Sequence, residues 1–371
     1  MILKKIIKFI TNKLLFFFRD FMNIYNERTL YIFLKTLRNH SLINNRSKLL
    51  FEFKIYPKNP KKLFPVHTQN DNMSIIIQGP VFDRDFIQST IDWYKNCGIK
   101  NIIFSTSEDV KSFRGCITLV TKSPLEEGIW NENNHLQAIK SGLEIINDET
   151  LVIKTRSDQR IFNETAFTAI KYFHDSYISR NTFDNSRLGV ISNNSTIIKI
   201  NNISDHLYIG NCLLLKKMFD IKFRNKINLL KDLNLNPVKL NFIRYKLKSS
   251  FYTELEAEQW FFNSFRKNCF IKNSQEEILI SKKIYIDKLS KYLDILIENI
   301  YVIDPEDIGL YWTKCSIDTL PSFYHNSLQN KKSIDCFRLT RYNWLTLVND
   351  ISFKKKILEF AKGLDANHFL F

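Results

Sequence analysis

The stretch LVIKTRSDQRIF, residues 151–162, places one acidic residue between two arginines. The residues LVIK are typical of a buried strand, and Asp158 follows this strand between Arg156 and Arg160. A carboxylate just beyond a strand can hold Mg²⁺ or Mn²⁺ against a diphosphate, because these cations favour one or two protein carboxylates together with phosphate oxygens. The arginines can pair with the same phosphates or with the carboxylate. The alternative is an ion pair that only closes the end of the strand.

A second candidate group, a glutamine followed by a glycine and a proline, ends another predicted strand, in SIIIQGPV. Gln78 is its last polar side chain, Gly79 lets a backbone approach a ligand closely, and Pro80 stiffens the chain as it leaves the strand. Ligands of open parallel sheets bind at the carboxyl ends of the strands, so both segments are candidates for one binding site. A plain turn explains these three residues equally well.

The elements that must position these residues alternate between strand and helix. The predicted strands cover residues 74–77, 101–105, 117–121 and 151–154, and the predicted helices cover residues 85–96, 132–146 and 165–177. This alternation predicts an α/β fold with a mostly parallel sheet covered by helices on both faces. After residue 190 the pattern favours long apolar and basic helices.

Composition excludes two common nucleotide-binding classes. The nine glycines are too scattered to form GxGxxG or GxxxxGK[ST], so neither a dinucleotide enzyme nor a P-loop NTPase is expected. The six cysteines contain no CxxC pair, which favours reduced thiols over disulfides or a zinc site. Lys and Arg total 54 against 38 Asp and Glu, and the net charge of +16 attracts polyanions, whether nucleic acid, anionic lipid or phosphorylated substrate.

The N-terminal segment, residues 1–53, begins with MILKKIIKFITNKLLFFFRDFM, which places apolar side chains on one helical face and lysines on the rest. Lysines interrupt each apolar run short of the ~20 residues that span a bilayer. We therefore expect a helix on an anionic membrane surface, at the cytoplasmic face, with docking on the protein's own core as the alternative. Prolines and lysines mark residues 54–72 as a linker.

Four segments in order, MSIIIQGPV, NIIFSTSEDV, NNHLQAIKSGL and LVIKTRSDQRI, resemble the WavE-type lipopolysaccharide-synthesis family. The resemblance continues through SDHLYIGNCLLLKKMF and ELEAEQWFF. It implies a GT-A-like glycosyltransferase domain over residues 73–275, which binds a nucleotide sugar. Residues 276–371 are then expected to form a mostly helical C-terminal extension packed on that domain.

The resemblance also implies a donor site. Asp158 corresponds to the last acid of the DxD motif of GT-A enzymes, which contacts metal and donor; the first acid is absent, so metal dependence is left open. A Mn²⁺ or Mg²⁺ ion is the expected cofactor, with Asp158 and His325 as candidate ligands. Asn134 and His135 stand where the family is expected to have Arg-Gln. The expected donor-binding residues are Gln78, Gly79, Pro80, Arg156, Asp158 and Arg160.

Catalysis and acceptor binding are expected from the later segments. Glu258 is the candidate base for the acceptor hydroxyl, and Asp205 is a second catalytic candidate. His206 and Gly210 are expected to line the acceptor pocket. The alternatives are an acidic first helical turn that complements the helix dipole, for Glu258, and a structural histidine, for His206.

These observations lead to one functional expectation and two alternatives. We expect a bacterial glycosyltransferase that moves a sugar from a nucleotide-sugar donor to a lipid-linked lipopolysaccharide or surface-polysaccharide acceptor. A basic nucleic-acid-binding protein is the first alternative, although the basic residues are spread along the chain, so no nucleic-acid partner is expected. An inactive membrane-peripheral scaffold is the second, because the DxD motif is incomplete.

Overall fold

A computed structural model describes residues 72–126, 128, 131–163, 165–178, 187–192, 195–225, 257–270, 282–305, 307–312 and 337–364. The predicted membrane-surface segment (1–53), most of the linker (54–72) and His325 lie outside these residues.

Strands and helices alternate along the described part of the chain. The strands are β1 (Met73–Gln78), β2 (Asn101–Thr106), β3 (Ile117–Val120), β4 (Leu151–Arg156), β5 (Gln159–Ile161), β6 (Leu188–Ile191), β7 (Tyr208–Asn211), β8 (Ile300–Ile303) and β9 (Leu310–Trp312). The helices are α1 (Arg84–Asn96), α2 (Glu132–Glu144), α3 (Ala166–Ile178), α4 (Cys212–Phe219), α5 (Ala257–Phe270), α6 (Lys282–Asn299), α7 (Arg341–Asn349) and α8 (Ile351–Lys362). None of them is both long and apolar enough to cross a membrane.

Seven strands form one sheet in the order β3-β2-β1-β4-β7-β6-β8. Only β7 runs antiparallel to its neighbours, and every other adjacent pair is parallel. The fold is therefore α/β with a mostly parallel sheet, as the sequence predicted. β5 and β9 form a separate two-stranded antiparallel sheet.

The chain reverses its direction across the sheet between β1 and β4. From β1 it proceeds outward to β2 and β3, and it then returns to the other side of β1 to form β4. In open α/β sheets such a reversal opens a crevice outside the carboxyl ends of the two strands, where ligands bind. We call the carboxyl ends of β1 and β4 the switch point.

The isoleucine run of β1 suits a strand in the interior of the sheet, where β2 and β4 flank it. Ile75, Ile76 and Ile77 are all buried, as expected for a parallel strand covered on both faces. Leucine and isoleucine recur at helical spacing in α2, where Leu136, Ile139 and Leu143 are buried. These apolar faces pack the helix on the sheet.

The contacts of α2 determine which of its residues reach the switch point. A Cβ on Gly142 would lie 3.1 Å from a side-chain carbon of Ile76, and Ser105 Oγ donates to the carbonyl oxygen of Ala138 (2.7 Å). Gln78 shares the face of Ile76, because side chains two residues apart point to the same side of a strand. The helix therefore runs opposite to β1, and its first turn extends over the carboxyl end of the sheet.

The structure differs from the sequence prediction after residue 190. This region contributes β7 and β8 to the main sheet and β9 to the small one, so the sheet continues past the predicted domain end at residue 275. The runs LGVI, YIGN and IYVI are four residues long, and periodicity alone does not separate short apolar strands from helix segments.

Candidate functional site

Gln78 and Asp158 lie at the same edge of the sheet, as the strand-end positions predicted. Gln78 is in register with Arg156 on the neighbouring strand. The amide of Ser157 donates to the carbonyl oxygen of Gln78 (2.9 Å), so pairing continues beyond β4. The two segments picked out by their residue types therefore meet at the switch point.

Position 79 needs a glycine because of its backbone conformation and because Ser157 packs against it. Its φ is +139°, and a Cβ there would lie 2.5 Å from Ser157 Oγ. The Ser157 hydroxyl in turn donates to the carbonyl oxygen of Pro80 (2.8 Å). The group that approaches Gly79 closely is thus Ser157. Its hydrogen bond to Pro80 connects the segment that follows β1 with the end of β4.

The guanidinium of Arg156 lies between two carboxylates. Its Nε and Nη2 donate to the two oxygens of Asp158 at 3.1 and 3.3 Å, and its Nη1 lies 3.4 and 3.3 Å from the two oxygens of Asp205. The side chains of Arg156, Asp158 and Asp205 are only 18%, 5% and 3% exposed. Lys154, also buried, donates from Nζ to the backbone carbonyl of Asp205. We call Lys154, Arg156, Asp158 and Asp205 the switch-point cluster.

The formal charges of this cluster cancel, since it contains two cations and two carboxylates. Burial raises the pKa of Asp205, but the charges of Arg156 and Lys154 lower it more, so the pKa lies well below its usual range. A carboxylate with so low a pKa is a weak general base. Asp205, expected as a catalytic residue, is therefore placed as a partner of Arg156.

Two neutral histidines adjoin the cluster. His206 follows Asp205, and its Nδ1 accepts a hydrogen bond from the amide nitrogen of Gln159 (2.6 Å). Burial lowers the pKa of His206 to about 4. Burial also lowers the pKa of His135, in the first turn of α2, to about 4, and charges of the cluster act on it with opposing signs. Both imidazoles are therefore uncharged at neutral pH, where each has one N–H donor and one acceptor nitrogen.

Three buried polar atoms at this edge have no hydrogen-bond partner among the described residues. They are Gln78 Oε1, Asn134 Oδ1 and His135 Nδ1. Because buried polar atoms are nearly always hydrogen-bonded, such a group calls for an explanation, and a ligand at the switch point is one. In the sequence, Asn134 and His135 stood out only as a departure from the WavE-type pattern. The available signal was the polar run ENNH at the start of an otherwise apolar-faced helix.

Arg160 was expected to bind the donor, and its described contacts are with α1 and Phe162 rather than with the cluster. Its role in donor binding stays a prediction. Its Nε donates to Thr90 Oγ1 (2.8 Å), and its Nη2 donates to the carbonyl oxygen of Phe86 (2.9 Å) and to Ser89 Oγ. The guanidinium lies 4.5 Å from the ring centroid of Phe86 and 5.0 Å from that of Phe162. We call this arrangement the α1 corner. It attaches β5 to the first turns of α1.

Gly210 is likewise not brought to the switch point. It pairs with Val152 at the amino end of β4, because β7 runs antiparallel to that strand. A Cβ on Gly210 would lie 3.2 Å from a methyl carbon of Leu214. The geometry assigns Gly210 to the packing of β7 on α4 rather than to an acceptor pocket beside Asp158.

Glu258 lies in the first turn of α5, and its side chain is outside the described part of the structure. The start of this helix can be located from Trp260, whose ring lies 4.4 Å from the guanidinium of Arg224. Arg224 Nη1 is 3.9 Å from Glu132 Oε1 at the first residue of α2. The first turns of α5 and α2 are therefore neighbours, and the role of Glu258 as a base stays a prediction.

The carboxylates of the cluster do not fit a divalent cation as they are placed. Within the described residues, no group of three His, Cys, Asp or Glu side chains is arranged to hold a metal. A cation bound to a diphosphate needs only one or two carboxylates. Here, however, both oxygens of Asp158 accept hydrogen bonds from Arg156, and both oxygens of Asp205 face the same guanidinium.

Comparisons with known proteins do not identify a family. No protein-family model and no curated protein matches the chain. One similar solved structure is titled "Crystal structure of HddC from Yersinia pseudotuberculosis"; the match covers 39% of this chain and 78% of that chain, with 16% sequence identity and a TM-score of 0.25. A likeness at this score carries no argument about fold or function.

Proposed function

We propose that this chain is a glycosyltransferase with a GT-A-like domain, which transfers a sugar from a nucleotide-sugar donor. The observation that carries the proposal is the position of the switch-point cluster, at the crevice where an open α/β sheet binds its ligand. Buried, interacting charged groups beside a crevice are typical of functional sites. The resemblance to lipopolysaccharide-synthesis enzymes suggests the reaction class.

Arg156 is the proposed contact for the donor diphosphate. When the glycosidic bond to the diphosphate breaks, negative charge grows on the leaving nucleotide, and N–H donors of a fixed, oriented guanidinium can stabilise it by hydrogen bonds. Asp158 and Asp205 hold the guanidinium from two sides, so both act as positioning residues for Arg156. A cation that is already oriented loses little conformational freedom when the ligand binds.

The polar groups of Gln78, Asn134 and His135 are proposed to contact a sugar. They are two neutral amides and a neutral imidazole. A hydroxyl both donates and accepts, so it can satisfy either end of an amide and either tautomer of an imidazole, whereas an ionised phosphate oxygen only accepts. These three side chains therefore suit the hydroxyls of the transferred sugar or of the ribose.

The acceptor side of the proposal rests on the sequence alone. Glu258, at the start of α5, is the proposed base, and a lipid-linked lipopolysaccharide or surface-polysaccharide precursor is the proposed acceptor. The basic amphipathic segment, residues 1–53, is proposed to hold the enzyme on the anionic cytoplasmic face of the membrane.

A screen of nucleotide sugars tests the proposal directly. The full chain is heated with UDP-, GDP-, TDP- and CMP-sugars, and release of the free nucleotide is measured with each. We expect one nucleotide class to raise the melting temperature in proportion to the logarithm of its concentration. The matched variant Arg156→Gln should lose this shift. A chain that responds to none of the four classes and releases no nucleotide contradicts the proposal and favours the inactive scaffold.

A further inference from the structure

The guanidinium of Arg156 lies between the carboxylates of Asp158 and Asp205. One edge of the guanidinium, formed by Nε and Nη2, faces Asp158 in a two-point contact. Its Nη1 faces Asp205 on the other side. Two-point pairs between arginine and a carboxylate are among the stronger and more directional contacts in proteins. The guanidinium thus satisfies both carboxylates as a bridging cation would.

A divalent cation at Asp158 would have to displace these N–H groups. The displaced guanidinium would then stand beside a second, doubly charged cation in a buried site, and like charges repel strongly where water is excluded. The formal charges of the switch-point cluster already cancel, with Lys154 as the second cation. Before any donor binds, an added metal would leave the cluster with an uncompensated positive charge, which is costly when buried.

We infer that the Arg156 guanidinium replaces the divalent cation at this site, so that the donor binds without metal, and that removing the guanidinium leaves a latent metal site made by Asp158 and Asp205. The first half rests on the proposed function, since it concerns the nucleotide-sugar donor. The second half concerns only the two carboxylates and stands without that function.

Removing the guanidinium tests the latent site. Wild-type protein and Arg156→Ala are each titrated with MnCl₂, and bound Mn²⁺ is measured by electron paramagnetic resonance and by melting temperature. We expect no saturable binding at millimolar MnCl₂ in wild type. Arg156→Ala should bind about one Mn²⁺, and its melting temperature should rise with the metal concentration. Arg160→Ala is the matched control, because it removes a nearby arginine outside the cluster and should bind none.

A second substitution identifies the ligands. Arg156→Ala combined with Asp158→Asn removes one of the two proposed carboxylates, and we expect Mn²⁺ binding to weaken by about tenfold or more. Arg156→Gln replaces the alanine variant if the latter does not fold, since glutamine keeps more of the side-chain volume. Saturable Mn²⁺ binding at the wild-type cluster overturns the inference, as does the absence of binding in whichever Arg156 variant folds.

Donor binding with and without metal tests the first half. The nucleotide sugar that stabilises the wild-type chain is titrated in EDTA and in MnCl₂. We expect dissociation constants that agree within about twofold, and a strict requirement for Mn²⁺ overturns the inference. If no nucleotide sugar binds under either condition, the proposed function fails, while the Mn²⁺ titration of the Arg156 variants still decides the latent site.

Discussion

Arg156 and Arg160 stand on either side of Asp158 in the sequence and differ in all the partners described. Arg156 contacts two carboxylates at the switch point. Arg160 contacts the faces of two phenylalanine rings and neutral oxygens of α1. The turn at Ser157 and Asp158 separates them, because β4 belongs to the main sheet and β5 to the two-stranded sheet.

The proposed function uses Arg156 and not Arg160, and the reason lies in the partners of the two side chains. Arg156 is a cation held in place by opposite charges, at the switch point and next to two histidines whose pKa values burial lowers. Arg160 is a cation held by aromatic faces and hydroxyls, where it joins two secondary-structure elements. We therefore expect substitutions in the switch-point cluster to alter transfer, and substitutions in the α1 corner to alter stability alone.

The largest effect is expected from Asp158→Asn, which removes one of the two carboxylate charges that hold Arg156 in place. Transfer should fall about 10²–10³-fold, the usual cost of losing a preorganised electrostatic contact in the transition state. Asp205 still pairs with Arg156, so the fold should survive with a loss of roughly 1–3 kcal/mol. Turnover at saturating donor and the urea midpoint are measured together. Unchanged turnover in a folded variant would make the Arg156–Asp158 contact a purely structural ion pair.

Acid should destabilise the protein through its buried histidines. The native pKa values of His135 and His206 are about 4, below the ordinary 6.5, so the unfolded chain binds protons first as pH falls. Stability is therefore full above pH ~6.5 and falls toward pH ~4, by up to roughly 3 kcal/mol for each histidine. Burial also lowers the pKa of His174, which adds to the slope in the same direction.

Urea unfolding between pH 4 and 8 measures this slope. His206→Gln should flatten the curve, since one proton uptake is removed, whereas Arg160→Ala should shift the whole curve by a constant amount. An Arg160→Ala curve with the flattened slope would mean that the two regions are not independent.

Gly79→Ala probes the junction that holds β1 to β4. The φ of +139° and the 2.5 Å approach to Ser157 Oγ predict a loss of about 1–3 kcal/mol. Ser157→Ala alone removes one hydrogen bond to Pro80 and should cost roughly 0.5–1.5 kcal/mol. The double variant should cost less than the sum, because the clash with the hydroxyl is gone while the backbone strain remains. Strict additivity of the two urea midpoints would argue against this clash.

The smallest effect is expected from Arg160→Ala. Loss of the cation–π contacts and of the hydrogen bonds to α1 should cost about 1–2 kcal/mol of unfolding free energy. Donor affinity and turnover should stay within twofold of wild type, since Arg160 is absent from the switch-point cluster. A loss of turnover close to that of Asp158→Asn, with the fold intact, would mean that Arg160 also serves the donor site.

Local signals predicted the first half of the fold well. Strands β1 to β4 and helices α1 to α3 lie within two residues of their predicted bounds. These helices are long enough to show their period, and the short strands could be placed because they alternate with them. The shared edge of Gln78 and Asp158 followed from strand-end position alone. Strands β6 to β9 were not predicted, since they are only three or four residues long and no regular alternation with helices marks them.

By itself, the sequence determined the alternation of elements, the polar ends of two central strands and an acid between two arginines. Only the tertiary structure decided which arginine meets that acid. Asp205 lies 49 positions from Arg156 along the chain and reaches it through the return of the chain into β7. Thr90 and Phe86 reach Arg160 through the packing of α1. Spacing constrains neighbours within a strand or helix, whereas partners across elements depend on sheet order and packing, which no local pattern contains.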